Sequence, residues 1–75
     1  MRTYIRWDPP NGPLVQVRDL EEAKSIIQFK HPNAVYSEWD TNPIDASPDH
    51  RMHVWQDQQA RQDKRPEVAW IILTS

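Results

Sequence analysis

The sequence contains no cysteine and a single glycine, Gly12. Without cysteine there is no disulfide to stabilise a small domain and no thiolate for nucleophilic catalysis. With one glycine the chain cannot form a glycine-rich loop around a phosphate, so we expect no nucleotide bound through backbone amides. The turns must depend instead on the seven prolines and on Asn and Asp residues.

Positive charge and long apolar runs are also scarce. Nine Lys and Arg against eleven Asp and Glu give a net charge of −2, whereas proteins dedicated to duplex nucleic acid carry a basic surplus. The longest apolar run, Ala69 to Leu73, is too short to span a membrane. The first residues lack the apolar segment of a signal peptide. We therefore expect a cytoplasmic protein that consists of one domain, residues 1–75.

The segment from Asp19 to His31 is the strongest helix signal. Asp19 suits the N-cap, and Glu22 stands three residues later, as in a capping box. The apolar residues of this segment recur at helical spacing and share one face; they are Leu20, Ala23, Ile26 and Ile27. Phe29 lies off that stripe, so we expect it to pack where the helix ends. A helix of this length is marginal alone and requires a sheet to pack against.

Strands are predicted by alternating and β-branched residues over 3–7, 14–17, 34–39 and 68–74. A turn over 8–13 joins the first two strands. In the third strand we expect Val35 on the core face and Tyr36 on the opposite face. The last strand is apolar on both faces, which predicts a central position or cover on both sides. Residues 40–49 are predicted to form a polar loop.

Residues 48–64 allow two interpretations. A strand over 52–57 would direct Met52 and Val54 inward and His53 and Trp55 outward, followed by a charged hairpin loop. A helix starting at Pro48 would use the high helix propensity of residues 56–64. The face of that helix would be poorly apolar, so the strand is favoured.

These elements predict an α+β fold: a mostly antiparallel sheet, in the chain order β-β-α-β-β-β, with one helix (about 19–31) packed on one face. We expect Trp7 and Trp70 to be core or partly buried cover. The full predicted core comprises Ile5, Trp7, Val15, Val17, Leu20, Ala23, Ile27, Val35, Val54, Ile71 and Leu73.

Groups for metal binding and catalysis are weakly placed. The ligand types suited to zinc are His50, His53, Asp45 and Asp49, but residues three apart on a strand point to opposite faces. No serine lies in a nucleophile-elbow context, and the paired carboxylates have polar neighbours. We therefore predict no metal site, no cofactor, no catalytic residues and no enzymatic activity.

The face of the sheet opposite the helix is the best candidate surface for a partner. The residues predicted to form it are Tyr4, Arg6, Tyr36, His53 and Trp55, with Arg61 from the charged segment that follows. Trp, Tyr and Arg dominate the hot spots of protein interfaces. Together they also stack and neutralise single-stranded nucleic acid.

The leading functional prediction is a non-enzymatic protein–protein interaction or regulatory module that uses the open sheet face or a sheet edge. Self-association is one form of it. The acidic neighbours Glu38, Asp40 and Asp57 favour protein over nucleic acid. The alternative is a single-stranded nucleic-acid-binding domain that uses Arg6 and Trp55. A small metal-dependent enzyme is the third hypothesis.

Overall fold

The computed structural model describes residues 2–41 and 50–74. The zinc-ligand candidates Asp45 and Asp49 and most of the predicted 40–49 loop lie outside these residues. Within them, no helix is long and apolar enough to cross a membrane.

One antiparallel sheet forms the centre of the fold, and its strand order is β2-β1-β6-β5-β3, with β4 also pairing β5. The strands are β1 (Arg2–Trp7), β2 (Leu14–Val17), β3 (Val35–Tyr36), β4 (Asp40–Thr41), β5 (His50–Trp55) and β6 (Ala69–Thr74). Helix α1 (Leu20–Lys30) packs on one face, and the short helix α2 (Gln58–Gln62) lies between β5 and β6. The predicted α+β fold with one main helix on an antiparallel sheet is confirmed.

Strand β6 is central, as its apolar sequence predicts. It pairs with β1 on one side and with β5 on the other. Ala69 and Ile71 are buried on the helix side, whereas Trp70 and Ile72 alternate onto the opposite face and are half-buried. A strand that is apolar on both faces therefore supplies the core on one side and a partly covered surface on the other.

Helix α1 starts as its sequence predicts. The Asp19 carboxylate accepts from the Glu22 backbone N–H at 2.8 Å. Glu22 in turn accepts from the N–H of Arg18 at 3.2 Å, one residue before the N-cap, so the capping box is displaced by one position. Ala23 and Ile27, on the side of the helix that faces the sheet, are fully buried.

The predicted packing of Phe29 is wrong, because its side chain is 90% exposed. The last turn contacts the sheet through its neighbour: the ammonium of Lys30 lies 4.7 Å from the centroid of the Trp7 ring. Phe29 lies off the apolar stripe of the helix, and its side chain is exposed instead of packing at the helix end.

The core lies between α1 and the sheet; its buried members are Ile5, Val17, Ala23, Ile27, Met52, Val54, Ala69 and Ile71, with Trp7 and Leu20 packed against them. Three predicted core residues lie elsewhere. Val15 is 43% exposed because β2 is the edge strand. Leu73 is only half-buried, and Val35 is on the opposite face.

The facing of Val35 and Tyr36 is the reverse of the prediction. Tyr36 pairs with the buried Val54, so it lies on the helix side, and Val35 pairs with Trp55 on the open side. The strand is two residues long rather than six, and an error of one residue in register moves every side chain to the other face. Tyr36 is therefore not on the predicted partner-binding face.

The strand interpretation of residues 52–57 is confirmed, with bounds His50–Trp55 and with Met52 and Val54 buried. The loop predicted after it is wrong in part, because α2 occupies Gln58–Gln62. Asp57 caps this helix by accepting from the N–H of Ala60 at 2.7 Å. The predicted loop over 40–49 is also shortened at its start by β4.

The turn between β1 and β2 depends on the single glycine. A Cβ atom at Gly12 would lie 1.7 Å from the Trp7 carbonyl oxygen, a distance that no side chain tolerates. The backbone closes over this point, since Trp7 donates to Pro13 at 2.9 Å and Gly12 donates to Asp8 at 3.2 Å.

We predict that Gly12→Ala lowers the unfolding free energy by about 2 kcal/mol or more, because the turn must open to admit the methyl group. Urea unfolding followed by tryptophan fluorescence measures the change. Asn11→Ala, an exposed substitution in the same turn, is the matched control and should change the value by less than about 0.5 kcal/mol. Equal effects of the two substitutions would contradict this account of the turn.

Tyr36 predicts a pH dependence of stability. Burial under α1 raises the pKa of its hydroxyl above the usual value, and the side chain of Gln28 acts in the opposite direction. The folded state therefore holds this proton more tightly than the unfolded chain, and the resulting stability is present below pH 10 and lost as the pH rises above about 10. We expect Tyr36→Phe to reduce the loss of unfolding free energy between about pH 9 and pH 11. A loss of the same size in Tyr36→Phe and in the unsubstituted protein would refute the assignment.

Candidate partner-binding surface

The open face is the side of the sheet opposite α1. The strand register places Arg6, Trp70 and His53 in one row across β1, β6 and β5, and Tyr4, Ile72 and Arg51 in the next. Directly opposed residues of antiparallel strands point to the same side. The open face therefore combines aromatic side chains with arginines.

Five of its side chains form a continuous series, which we call the Arg–Trp array: Arg51, Trp70, His53, Trp55 and Arg61. The guanidinium carbon of Arg51 lies 4.1 Å from the Trp70 ring centroid, and that of Arg61 lies 5.1 Å from the Trp55 centroid. The His53 ring connects the two indoles, at 5.9 Å from Trp70 and 6.3 Å from Trp55. Each end of the array is thus a cation stacked on a tryptophan.

Glu67 holds the centre of the array. Its carboxylate contacts Nδ1 of His53 and accepts from Nε1 of Trp70 at 3.3 Å. All three side chains are half-buried, so these contacts satisfy polar atoms that the array removes from water. The polar edges of His53 and Trp70 are directed at Glu67, and their rings are fixed relative to each other.

Helix α2 positions Arg61. Ala60 is 1% exposed and anchors the helix against the sheet. The C-terminal end closes in a Schellman motif, since Arg65 donates to Ala60 at 2.9 Å and Lys64 to Arg61 at 3.2 Å. The Arg61 guanidinium also donates to the Tyr36 carbonyl at 3.4 Å. The helix therefore directs this cation back over Trp55.

The arginines of the open face differ from the other arginines in charge neutralisation. Arg18 lies beside Asp19 and Glu22, and Arg65 lies beside Asp63. In the part of the chain that the structure describes, no ion pair involves Arg6, Arg51 or Arg61. Asp40 stands opposite Arg51 in the register of β4 and β5.

Most of the predicted site residues come together. Tyr4, Arg6, His53 and Trp55 share the open face, and Arg61 reaches it from α2. Arg6 has a second role, because it donates to the Gly12 carbonyl at 2.9 Å and holds the turn. Tyr36 is the exception and lies on the helix side.

Sequence reasoning missed Arg51, Glu67 and the exposed role of Trp70. Alternation contained the signal for two of them: Arg51 precedes the inward Met52, and Trp70 precedes the inward Ile71. Trp70 is half-buried, as predicted, but its side chain lies on the open face rather than against the core. No sequence signal placed Glu67, because its contacts depend on how the chain returns from α2 to β6.

The free edge of β2 is a weaker candidate for partner binding than the open face. Trp7 donates to Pro13, so by alternation the backbone groups of Leu14 and Gln16 point outward. The next outward N–H, that of Arg18, is occupied by Glu22. Although Leu14 and Val15 are 47% and 43% exposed, two residues give too few backbone hydrogen bonds for strand addition to be the main binding mode.

No group of three or more metal-ligating side chains converges among residues 2–41 and 50–74. The register puts His50 opposite Leu73 and His53 opposite Trp70, which places the two histidines on opposite faces of β5. Comparison with protein-family models, with curated proteins and with solved structures finds no match to this chain. The open face is therefore the part of the described structure that bears most directly on function.

The end of α2 provides a stability test. Lys64 has a φ of 55°, a left-handed conformation that costs an L-residue about 1 kcal/mol and glycine almost nothing. We predict that Lys64→Gly raises the unfolding free energy by about 0.5–1 kcal/mol, measured by urea unfolding. Lys64→Ala removes the same side chain without freeing φ, so it should give no gain. A gain of equal size in Lys64→Ala would show that the charge, not the backbone, was responsible.

Proposed function

We propose that this chain is a non-enzymatic interaction domain that binds another protein through the open sheet face, with the Arg–Trp array at the centre of the interface. The observation that carries this proposal is the array itself. It consists of two indoles, each with a guanidinium over its ring, and a histidine ring between them, on a face that α1 does not cover. Tryptophan and arginine are the residues that contribute most to protein interfaces.

Pre-organisation strengthens the proposal. An arginine that stacks on an indole and a histidine held by Glu67 have lost much of their rotamer freedom before a partner arrives. Ordering such side chains at an interface otherwise costs about 0.5–1.5 kcal/mol each. The half-buried indoles also retain apolar area that a partner can remove from water.

Catalysis is a weaker explanation of the same residues. The titratable groups at the centre of the array, His53 and Glu67, contact each other and the indole of Trp70. An open sheet face also does not enclose a reacting group away from water, as most active sites do. We therefore assign no catalytic residue. Because a chain without cysteine suits a reducing compartment, we propose that the domain acts in the cytoplasm.

Single-stranded nucleic acid is the second candidate, and the alternation of arginine and aromatic rings on this face favours it. Two observations weigh against it. One face of each array indole is covered by a guanidinium, so it is closed to a stacking base. Glu67 adds a carboxylate to the centre of the array, where it repels phosphate.

Self-association through this face is disfavoured by charge. A two-fold symmetric interface brings the same patch from each subunit together. Such an interface would bring the cations Arg51 and Arg61 of both subunits into one patch, with Glu67 as the acidic residue in contact with the array. We therefore propose a partner with a different surface.

Parallel selections test this function. Immobilised protein is exposed to a random twelve-residue peptide library and to a random single-stranded oligonucleotide pool at physiological salt. The counter-selection uses the double variant Trp55→Ala/Trp70→Ala, checked for folding by circular dichroism, with Arg51→Ala/Arg61→Ala as a second counter-selection should the first not fold. We expect peptides, and not oligonucleotides, to be enriched over the counter-selection. Enrichment of oligonucleotides alone would establish the second candidate, and enrichment of neither would refute an interaction role for this face.

A further inference from the structure

We infer that the partner is an extended, acidic peptide segment whose carboxylates bind Arg51 and Arg61 at the two ends of the Arg–Trp array, with apolar side chains over the indoles between them. This inference rests on the proposed function and specifies its ligand. It follows from the charge of the array, the position of its guanidiniums over the indoles and the spacing of the strand residues that carry it.

Charge is the first step. The whole chain has a net charge of −2, yet the arginines of the open face form no ion pair within the described residues, whereas Arg18 and Arg65 do. Glu67 is already engaged by His53 and Trp70. The two ends of the array are therefore exposed cations with which the carboxylates of a partner can pair.

The stacked geometry is the second step. A guanidinium that lies over an indole uses its flat face, and its N–H groups point outward in its own plane. The guanidinium carbon of Arg51 lies over the Trp70 ring at 4.1 Å and that of Arg61 over the Trp55 ring at 5.1 Å, and Arg61 also donates one N–H to the Tyr36 carbonyl. In-plane N–H groups are the donors that bind a carboxylate with two parallel hydrogen bonds.

Length is the third step. The backbone positions of Arg51 and of Trp55, the indole under Arg61, are four residues apart on β5, which is about 13 Å of strand. Residues four apart in an extended peptide span the same distance and point to the same side, so such a peptide follows the strand position by position. In a helix the same residues rise only about 6 Å and do not match this spacing. The array therefore fits an extended segment better than a helix.

The side chains at the middle of the array indicate which residues the partner has between its two carboxylates. Trp55, Trp70 and the neighbouring Ile72 are half-buried, so they offer apolar area but no unengaged polar edge at Trp70. Apolar side chains of the partner can cover Trp70 and Ile72 without leaving a buried polar atom unsatisfied. A segment with acidic residues on both sides of an apolar residue matches this order.

The test uses a synthetic twelve-residue peptide with two glutamates four positions apart and a Thr-Val-Thr segment between them. A second peptide has both glutamates replaced by glutamine, and a third places them two positions apart. Binding to the full chain is measured by tryptophan fluorescence and by amide NMR shifts at 50 and 200 mM salt. We expect the first peptide to bind about fivefold or more tightly than either control, with the larger difference at low salt.

Protein variants locate the site. We expect Arg51→Gln and Arg61→Gln each to raise the Kd of the first peptide about fivefold. Arg18→Gln removes the same charge next to β2, at the opposite edge of the sheet and beside Asp19 and Glu22. It should leave the Kd within about twofold. Thermal unfolding of each variant checks that the fold is retained.

The results separate this inference from the proposed function. Equal Kd values for the glutamate and glutamine peptides, an equal effect of Arg18→Gln, or no binding of the first peptide would each overturn the acidic partner. Non-acidic peptides enriched in the library selection would then leave the proposed function standing. Displacement of the first peptide by a single-stranded oligonucleotide at lower concentration would instead assign the array to phosphate.

Discussion

Helix α1 covers one face of this sheet and leaves the other face open, and the composition of the open face follows from that difference. On the helix side, Ala23 and Ile27 press on Ile5 and Ile71, and all four are fully buried. Strand β6 lies at the centre, so its alternate residues must face away from that core. Trp70 and Ile72 are consequently apolar residues on a face that α1 does not cover.

The chain covers these residues with charged side chains rather than with a second layer. The hydrocarbon and guanidinium parts of arginine can lie on apolar surface while the charge stays hydrated. Arg51 and Arg61 do so over Trp70 and Trp55. This solution limits the exposed apolar area of the free domain, and it leaves fixed cations beside aromatic rings. The same arrangement is what an acidic, partly apolar partner would need.

The parts of the fold that the sequence predicted are those with local physical signals. The cap at Asp19 and the apolar stripe through Ala23 and Ile27 specified α1, and the continuous apolar run specified β6. The facing of Tyr36 failed because a two-residue strand carries no periodicity long enough to set its register. The predicted packing of Phe29 at the helix end was wrong because an apolar residue does not have to be buried.

The candidate site was predictable in type but not in arrangement. Alternation placed Tyr4, Arg6, His53 and Trp55 on one face, and it would have placed Arg51 there had the predicted strand started one residue earlier. The stacking of Arg61 on Trp55 depends on α2, and the contacts of Glu67 depend on the return of the chain to β6. Both are tertiary consequences that no local pattern contains.

The central claim is that the Arg–Trp array is formed before any partner binds. The most direct measurement is the NMR spectrum of the side chains in the free protein. Ring currents from Trp70 and Trp55 should move the δ-methylene protons of Arg51 and Arg61 upfield, with nuclear Overhauser effects to the indole protons, whereas those of Arg18 stay at ordinary positions. Ordinary shifts for Arg51 and Arg61, without Overhauser effects to the indoles, would contradict the account.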